Sequence, residues 1–230
     1  MNKWPKKVSE LTEEQKIIRE DFMHYWHEVL PKKYNIIEKF NHGYSIDKKS
    51  KSKGRTLEIG SGLGEHIKYE NLEDVEYFAL ELREDMAKEI SRNYSTVNVV
   101  VADCQISLPF EDLFFDRIMA INVLEHLDNL PACLKEVNRV LKKDGDFFCV
   151  IPCENGFLYN IARKISAEKI FKKRYKQSYD WFVASEHLNL PNEIINELSN
   201  YFKIINIKFF PLSLKSINLN LVIGITLKRK

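Results

Sequence analysis

The stretch L-E-I-G-S-G-L-G-E-H, Leu57 to His66, decides how the rest of the chain is read. A short apolar run holds an acid near its end, and three glycines follow at alternate positions. Glycines spaced this way let a backbone turn sharply and approach a ligand closely. A Walker A loop needs G-x-x-x-x-G-K-[ST], and no Gly-Lys-Ser/Thr is present here. A dinucleotide fingerprint needs G-x-G-x-x-G. Gly60 and Gly62 match its first two positions, but the third falls on Glu65, whose carboxylate would repel a pyrophosphate. The third glycine is Gly64, which gives G-x-G-x-G. Glu58, at the carboxyl end of the first strand, suits a ligand that carries positive charge, such as an ammonium or a sulfonium.

Outward from the loop, strands and helices alternate. Apolar runs predict strands over 55–59, 75–80, 97–101, 115–121 and 146–151, with a helix starting at 63–70 and others over 84–92 and near 130–141. Gly145 marks the turn into the fifth strand. This alternation predicts a parallel sheet covered on both faces. Upstream, helical spacing runs over 9–40, with Ser9 or Thr12 as N-cap and Pro31 ending the helix or starting a second. The basic stretch 41–54 reads as a linker. Downstream, helices are expected over 156–180 and 192–200. F-K-I-I-N-I-K-F-F and I-N-L-N-L-V-I-G-I-T-L then close the chain as an antiparallel hairpin.

The chain has 230 residues, 44% of them apolar, enough for one domain with a sizeable core. Its parts are an N-terminal helical extension with a basic linker (1–54), a cofactor-binding core (55–152), a basic helical cap (153–190) and a closing helix and hairpin (191–230). A net charge of +2 makes no case for nucleic acid. No signal peptide or spanning helix is expected, and peripheral membrane contact stays open. The four cysteines form no C-x-x-C pair and read as reduced thiols, which suggests a cytoplasmic protein. His24 and His27 have a metal-ligand spacing on a helix but no matching cluster, so no metal is expected.

The acids at the strand ends narrow the ligand. Glu81 stands 21 residues after Gly60 and can accept from both ribose hydroxyls. Asp103 can accept from an adenine amine. The ligand is then an adenosine joined to an amino acid without phosphate, which describes S-adenosylmethionine.

E-I-G-S-G-L-G, Glu81, A-D-C at 102–104, F-D-R-I at 115–118, N-V-L-E-H-L at 122–127 and L-K-K-D-G-D follow in order over 55–152. Together they resemble the class I S-adenosylmethionine-dependent methyltransferases, of the small-molecule and glycan type in the ubiquinone-biosynthesis-like group. The resemblance implies a Rossmann-like α/β fold, a seven-stranded, mostly parallel sheet with helices on both faces. It also implies a terminal antiparallel hairpin, N-terminal helices and a helical cap inserted after the fifth strand. It places Glu58, Gly60, Ser61 and Gly62 at the methionine end of the cofactor, and Glu81 on the ribose with Leu82 beside it. Asp103 and Cys104 meet the adenine, and Asn122 meets the methionine part or the reacting face. Arg83 departs from the small residue common in relatives and bears on the adenine wall.

The expected reaction is an SN2 methyl transfer to an oxygen or nitrogen. His187, in S-E-H-L-N, is the first candidate for a base acting on an acceptor hydroxyl, and a histidine fixed at a helix end is its plain alternative. His126, opening a helix, either touches substrate or braces the cofactor loop. Cys153 lies where substrate would approach but has no covalent step to serve. Residues 157–180 carry seven positive side chains against Glu168 and Asp180, with aromatics between them. They form either a solvated face or a lid that attracts an anionic acceptor, such as a sugar or glycan precursor. Three other readings stay open: a cofactor-binding partner subunit without catalysis, a nicotinamide-dependent oxidoreductase, and aminopropyl transfer on the same fold.

Overall fold

A computed structural model of the chain describes residues 4–33, 35–46 and 54–230, and for 27–33 the backbone alone. Seven strands form one sheet: β1 (Gly54–Ile59), β2 (Val75–Glu81), β3 (Asn98–Val101), β4 (Phe115–Ile121), β5 (Leu141–Pro152), β6 (Phe202–Phe210) and β7 (Val222–Arg229). Their order is β3-β2-β1-β4-β5-β7-β6. The first five are parallel, and β7 runs antiparallel between β5 and β6. The order reverses between β1 and β4, and ligands of open α/β sheets bind beyond the carboxyl ends of the strands at such a point.

The central strands are apolar on both sides because helices cover both faces. Eight helices are described: α1 (Glu13–Lys33), α2 (Asn35–Gly43), α3 (Glu84–Asn93), α4 (Leu130–Val140), α5 (Phe157–Ile165), α6 (Ala167–Tyr175), α7 (Asp180–Glu186) and α8 (Pro191–Tyr201). Leu57, Leu80, Ile118 and Phe147 pack with Leu134, Val137 and Leu198 of α4 and α8. The alternate residues Tyr77, Ala79, Met119 and Phe148 pack with Ile90 of α3 on the other face. α1 docks on the insertion after β5 through a separate aromatic core. Phe22 meets Phe171 and Phe182 edge-on at 5.0 and 5.1 Å. Arg174 Nε and Asp21 pair beside it at 2.9 Å.

Several expectations need correction. The helix expected from 63–70 is only a 3-10 turn, His66–Tyr69. Gly62 and Gly64 hold positive φ values of 56° and 81°, which keeps the loop non-helical until residue 65, and β2 begins ten residues later. The linker expected at 41–54 is partly ordered: α2 runs to Gly43, a 3-10 turn covers Tyr44–Ile46, and Gly54 opens β1. Tyr44 explains this, because its hydroxyl is 2.9 Å from Thr226 Oγ1 and its ring fills the space left by Gly224. Residues 47–53 of that stretch lie outside the described residues. The N-terminal helix runs through Pro31 to Lys33, and Thr12 with Gln15 forms its capping pair. β5 starts at Leu141, so Gly145 lies within it, where a Cβ would come 2.5 Å from Leu141 Cδ1. The segment 217–221 is not strand: Ile217–Leu219 is a 3-10 turn, and β7 starts at Val222.

Candidate active site

The glycine loop sits at the carboxyl end of β1. Gly60 has φ 68°, and its Cα faces Val123 of the loop after β4 so closely that a Cβ would lie 2.5 Å from Val123 Cγ2. Gly62 N–H donates to Glu81 Oε2 at 2.8 Å, and Arg83 N–H donates to Glu81 Oε1 at 3.0 Å. The buried Glu81 carboxylate thus ties the loop to the end of β2 and keeps lone pairs for further donors. Arg83 leans back on the same carboxylate, with Nε 3.5 Å from it. Leu82 beside it is 64% exposed and forms an open apolar wall.

Glu58 lies under the loop, buried, and accepts the Tyr77 hydroxyl at 2.8 Å. Burial pushes its carboxyl up to about 8, against the pull of Tyr77. A cationic group brought next to it would favour the ionised form. Ser61 is buried, and its hydroxyl donates to Glu58 O at 3.2 Å, so its side chain shapes the loop. Asp103 Oδ1 caps the turn after β3 by accepting Gln105 N–H at 2.8 Å. Cys104 is buried in the core, where its thiol meets Cys133, so any ligand contact at this position falls to its main chain. Asn122 ends β4 with φ 53°, and Asn155 ends the β5 edge with φ 64°. Asparagine tolerates this left-handed conformation, which turns both chains sharply at the same edge.

A second cluster stands beside the loop. Val123 touches Gly60, Val123 O accepts His126 N–H at 3.0 Å, and the His126 and His187 rings are 5.2 Å apart. His126 lies in a turn four residues before α4, not at a helix start. Its Nδ1–H donates to Glu186 O at 2.7 Å, which leaves Nε2 as the acceptor nitrogen. Burial and the neighbouring His187 push its pKa down to about 4. His187 Nδ1–H donates to Glu154, which also pairs with Arg163 of α5. Burial opposes charge on His187, but the hydrogen bond and charge of Glu154 outweigh it and raise the pKa above the usual histidine value. The Glu154 carboxyl, though buried, is held low by the same histidine and by Arg163. Glu125 is buried nearby, with its carboxyl pushed up to about 7 and Oε2 without a hydrogen-bond partner among the described residues.

Glu154, Arg163 and Glu125 are absent from the sequence-level candidates. A signal for Glu154 existed, since it stands two residues after β5, as an acid at a strand end. Glu154 and Asn155 also line a recess of about 500 Å³ walled by Asn192, Glu193, Lys215 and Asn218. Cys153 is fully buried, with burial pushing its thiol up to about 12, so it is inert as a nucleophile. Among the described residues no group of three or more His, Cys, Asp or Glu side chains is placed to hold a metal ion, and the His27 side chain lies outside them. No described helix is long and apolar enough to cross a membrane.

The residues present fit S-adenosylmethionine. The loop backbone takes positive φ at all three glycines, a buried acid lies beneath it, and a second acid ends β2. After the loop the chain forms the 3-10 turn His66–Tyr69 and no α-helix before β2.

Residues 57–149 match a family described as a methyltransferase domain. The chain is 38% identical over 107 residues to an uncharacterized protein of Methanocaldococcus jannaschii, covering 46% of this chain and 40% of that one. It is 31% identical over 144 residues to the demethylmenaquinone methyltransferase of Staphylococcus carnosus, covering 58% of each. The chain thus spans less than two thirds of the length of these curated relatives. The solved structure of an S-adenosylmethionine-dependent methyltransferase from Clostridium acetobutylicum shares the fold, with a TM-score of 0.65 at 12% identity over 90% of this chain and 98% of that one. The domain match over residues 57–149, the sheet order and the glycine loop tied to Glu81 at the switch point together mark these strands as a methyltransferase domain.

Proposed function

We propose that the chain transfers the methyl group of S-adenosylmethionine to a hydroxyl oxygen, or an amine nitrogen, of a small anionic acceptor of the sugar or glycan-precursor kind. The cofactor supplies a methyl group already activated on a sulfonium, so no covalent enzyme intermediate is needed. Glu81 holds the ribose with Leu82 beside it. Asp103 and the main chain of Cys104 meet the adenine. Gly60, Ser61 and Gly62 cradle the methionine end, and Glu58, ionised, faces its ammonium. Asn122 stands at the reacting face.

The observation that carries the acceptor side is the position of Glu154. It walls the recess and at the same time fixes the Nδ1–H of His187. The ring therefore keeps Nε2 for a proton taken from an acceptor hydroxyl as its oxygen is alkylated. His126 braces His187 from the glycine-loop side. The recess sets three asparagines and Lys215 beside the apolar Leu190, Ile195, Phe209 and Ile217, a lining that can meet both hydroxyls and carbon faces. α1 and the cap helices would exclude water over the site.

Release of S-adenosylhomocysteine with a panel of phosphorylated and uronic sugars tests the acceptor class; turnover confined to neutral or cationic acceptors would overturn it. For the cofactor map, Glu81→Ala is expected to weaken S-adenosylhomocysteine binding by roughly 1–3 kcal/mol in calorimetric titration, from lost charge-assisted hydrogen bonds and a loosened Gly62. Unchanged affinity would move the ribose away from Glu81.

A further inference from the structure

No residue of α5 is buried, although the helix is strongly amphipathic. Its inner face carries Arg163, bonded to Glu154, and Tyr159, packed on the core. Its outer face carries Phe157, Ile161 and Ile165 at i, i+4 and i+8, exposed by 66%, 42% and 71%. One stripe of a helix is thus apolar and turned to solvent. The β6–β7 connection lies alongside: Gly156 lies so close to Ile217 O that a Cβ there would come within 2.3 Å. That connection exposes Leu212 and Leu214 by 53% and 54%. These leucines are held outward by structure. The fully buried Asn220 accepts Leu212 N–H at 2.8 Å and donates to Leu214 O and Ser216 O at 2.8 and 2.9 Å.

The surroundings of this patch are basic. Lys164 adjoins Ile165, and Lys215 adjoins Leu214. Lys169 and Lys173 follow on α6 at i and i+4, with Lys176 just beyond its end, all exposed. The other cations of the insertion are engaged: Arg163 with Glu154, Lys172 with Glu168 and Arg174 with Asp21. The exposed acid of the segment is Asp180, at the start of α7. Contiguous exposed apolar side chains mark an interaction surface. A twofold contact between copies through this face would bring two basic rims together. An anionic bilayer instead offers an apolar interior for the stripe and negative headgroups for the rim.

We propose that α5 and the β6–β7 connection form a docking surface for an anionic membrane, with the apolar stripe seated among the headgroups. The recess walled by Glu154, Lys215 and Asn218 then opens beside the bilayer, and the acceptor is the polar, anionic head of an amphiphile. The acceptor half of this statement rests on the function proposed above, whereas the docking does not.

Co-sedimentation of the full chain with vesicles of phosphatidylcholine, and of phosphatidylcholine with about one third phosphatidylglycerol, tests it. The expected result is at least roughly tenfold stronger binding to the anionic vesicles, lost as salt rises. The triple variant Phe157→Ser, Ile161→Ser, Ile165→Ser should lower that binding by roughly tenfold or more. A second variant, Leu212→Ser with Leu214→Ser, should do the same, and thermal stabilisation by S-adenosylhomocysteine should stay unchanged in both. Binding that ignores lipid charge, or no binding at all, overturns the proposal. So does a concentration-dependent dimer that the triple variant dissolves, which would assign the face to a second copy. Failure of the methyl-transfer reading would show instead as absent stabilisation by S-adenosylhomocysteine, whatever the vesicles do.

Discussion

His187→Ala is expected to lower kcat by about 10²–10⁴-fold and to leave S-adenosylhomocysteine affinity nearly intact, because its proposed role is on the acceptor proton and not on the cofactor. The sign of the pH dependence follows from its surroundings. A base works in its neutral form, and Glu154 raises the pKa of His187 above the usual 6.5. Turnover should therefore be low in mild acid and rise with pH through that raised value. Glu154→Gln removes the carboxylate that raises the pKa. The rising limb should then move to lower pH, while the plateau falls because the ring has lost its fixed orientation. A merely structural histidine would not move the limb. Near-normal turnover in His187→Ala, with a limb near pH 4 in the unsubstituted protein, would instead assign the base to His126, whose pKa burial and His187 push down to about 4.

The candidate cofactor residues could be picked from the sequence because they are marked locally. Each stands at or just after the end of a strand, and the apolar run that marks the strand also marks where its acid or glycine must fall. Glu58, Gly60, Glu81 and Asp103 are all of this kind, and the sheet brings their strand ends side by side without further information. The acceptor half depends on pairings that no period in the sequence announces. Glu154 and His187 are 33 residues apart and meet only because α5, α6 and α7 fold back over the end of β5. Glu125 looked like an unremarkable member of N-V-L-E-H-L, and only its burial lifts its carboxyl to about 7. The loop misled for a related reason. The spacing of 63–70 allowed a helix, but positive φ at Gly64 and the short run to β2 leave room for one 3-10 turn. The charge of 157–180 was also only half legible. Composition counted seven cations, whereas the fold turns Arg163 inward to Glu154 and leaves exposed lysines beside an apolar stripe.

Gly60→Ala should damage both the fold and the site. At φ 68° an L side chain strains against the backbone, at a cost of about 1–2 kcal/mol. The new methyl would also lie 2.5 Å from Val123 Cγ2 and 3.4 Å from Cγ1. Valine is stiff at χ1 and has no flexible end to swing aside, so the loop after β4 must shift, a cost of about 1–3 kcal/mol. The sum, about 2–5 kcal/mol, is a large part of the ordinary stability of a domain. It should appear as a fall in Tm of about 4–20 °C in a chain of this size. Binding should suffer beyond that, because Val123 adjoins Asn122 and hydrogen-bonds His126, so the displacement reaches both halves of the site. Two further variants isolate the cause. Val123→Ala in the Gly60→Ala background removes the overlapped methyls and should recover part of the lost Tm. Gly43→Ala meets nothing within 4 Å and should leave Tm unchanged or slightly raised. Equal and small effects at Gly60 and Gly43 would mean that Val123 is not held against the loop, and the path from glycine loop to His187 through Val123 and His126 would fall with it.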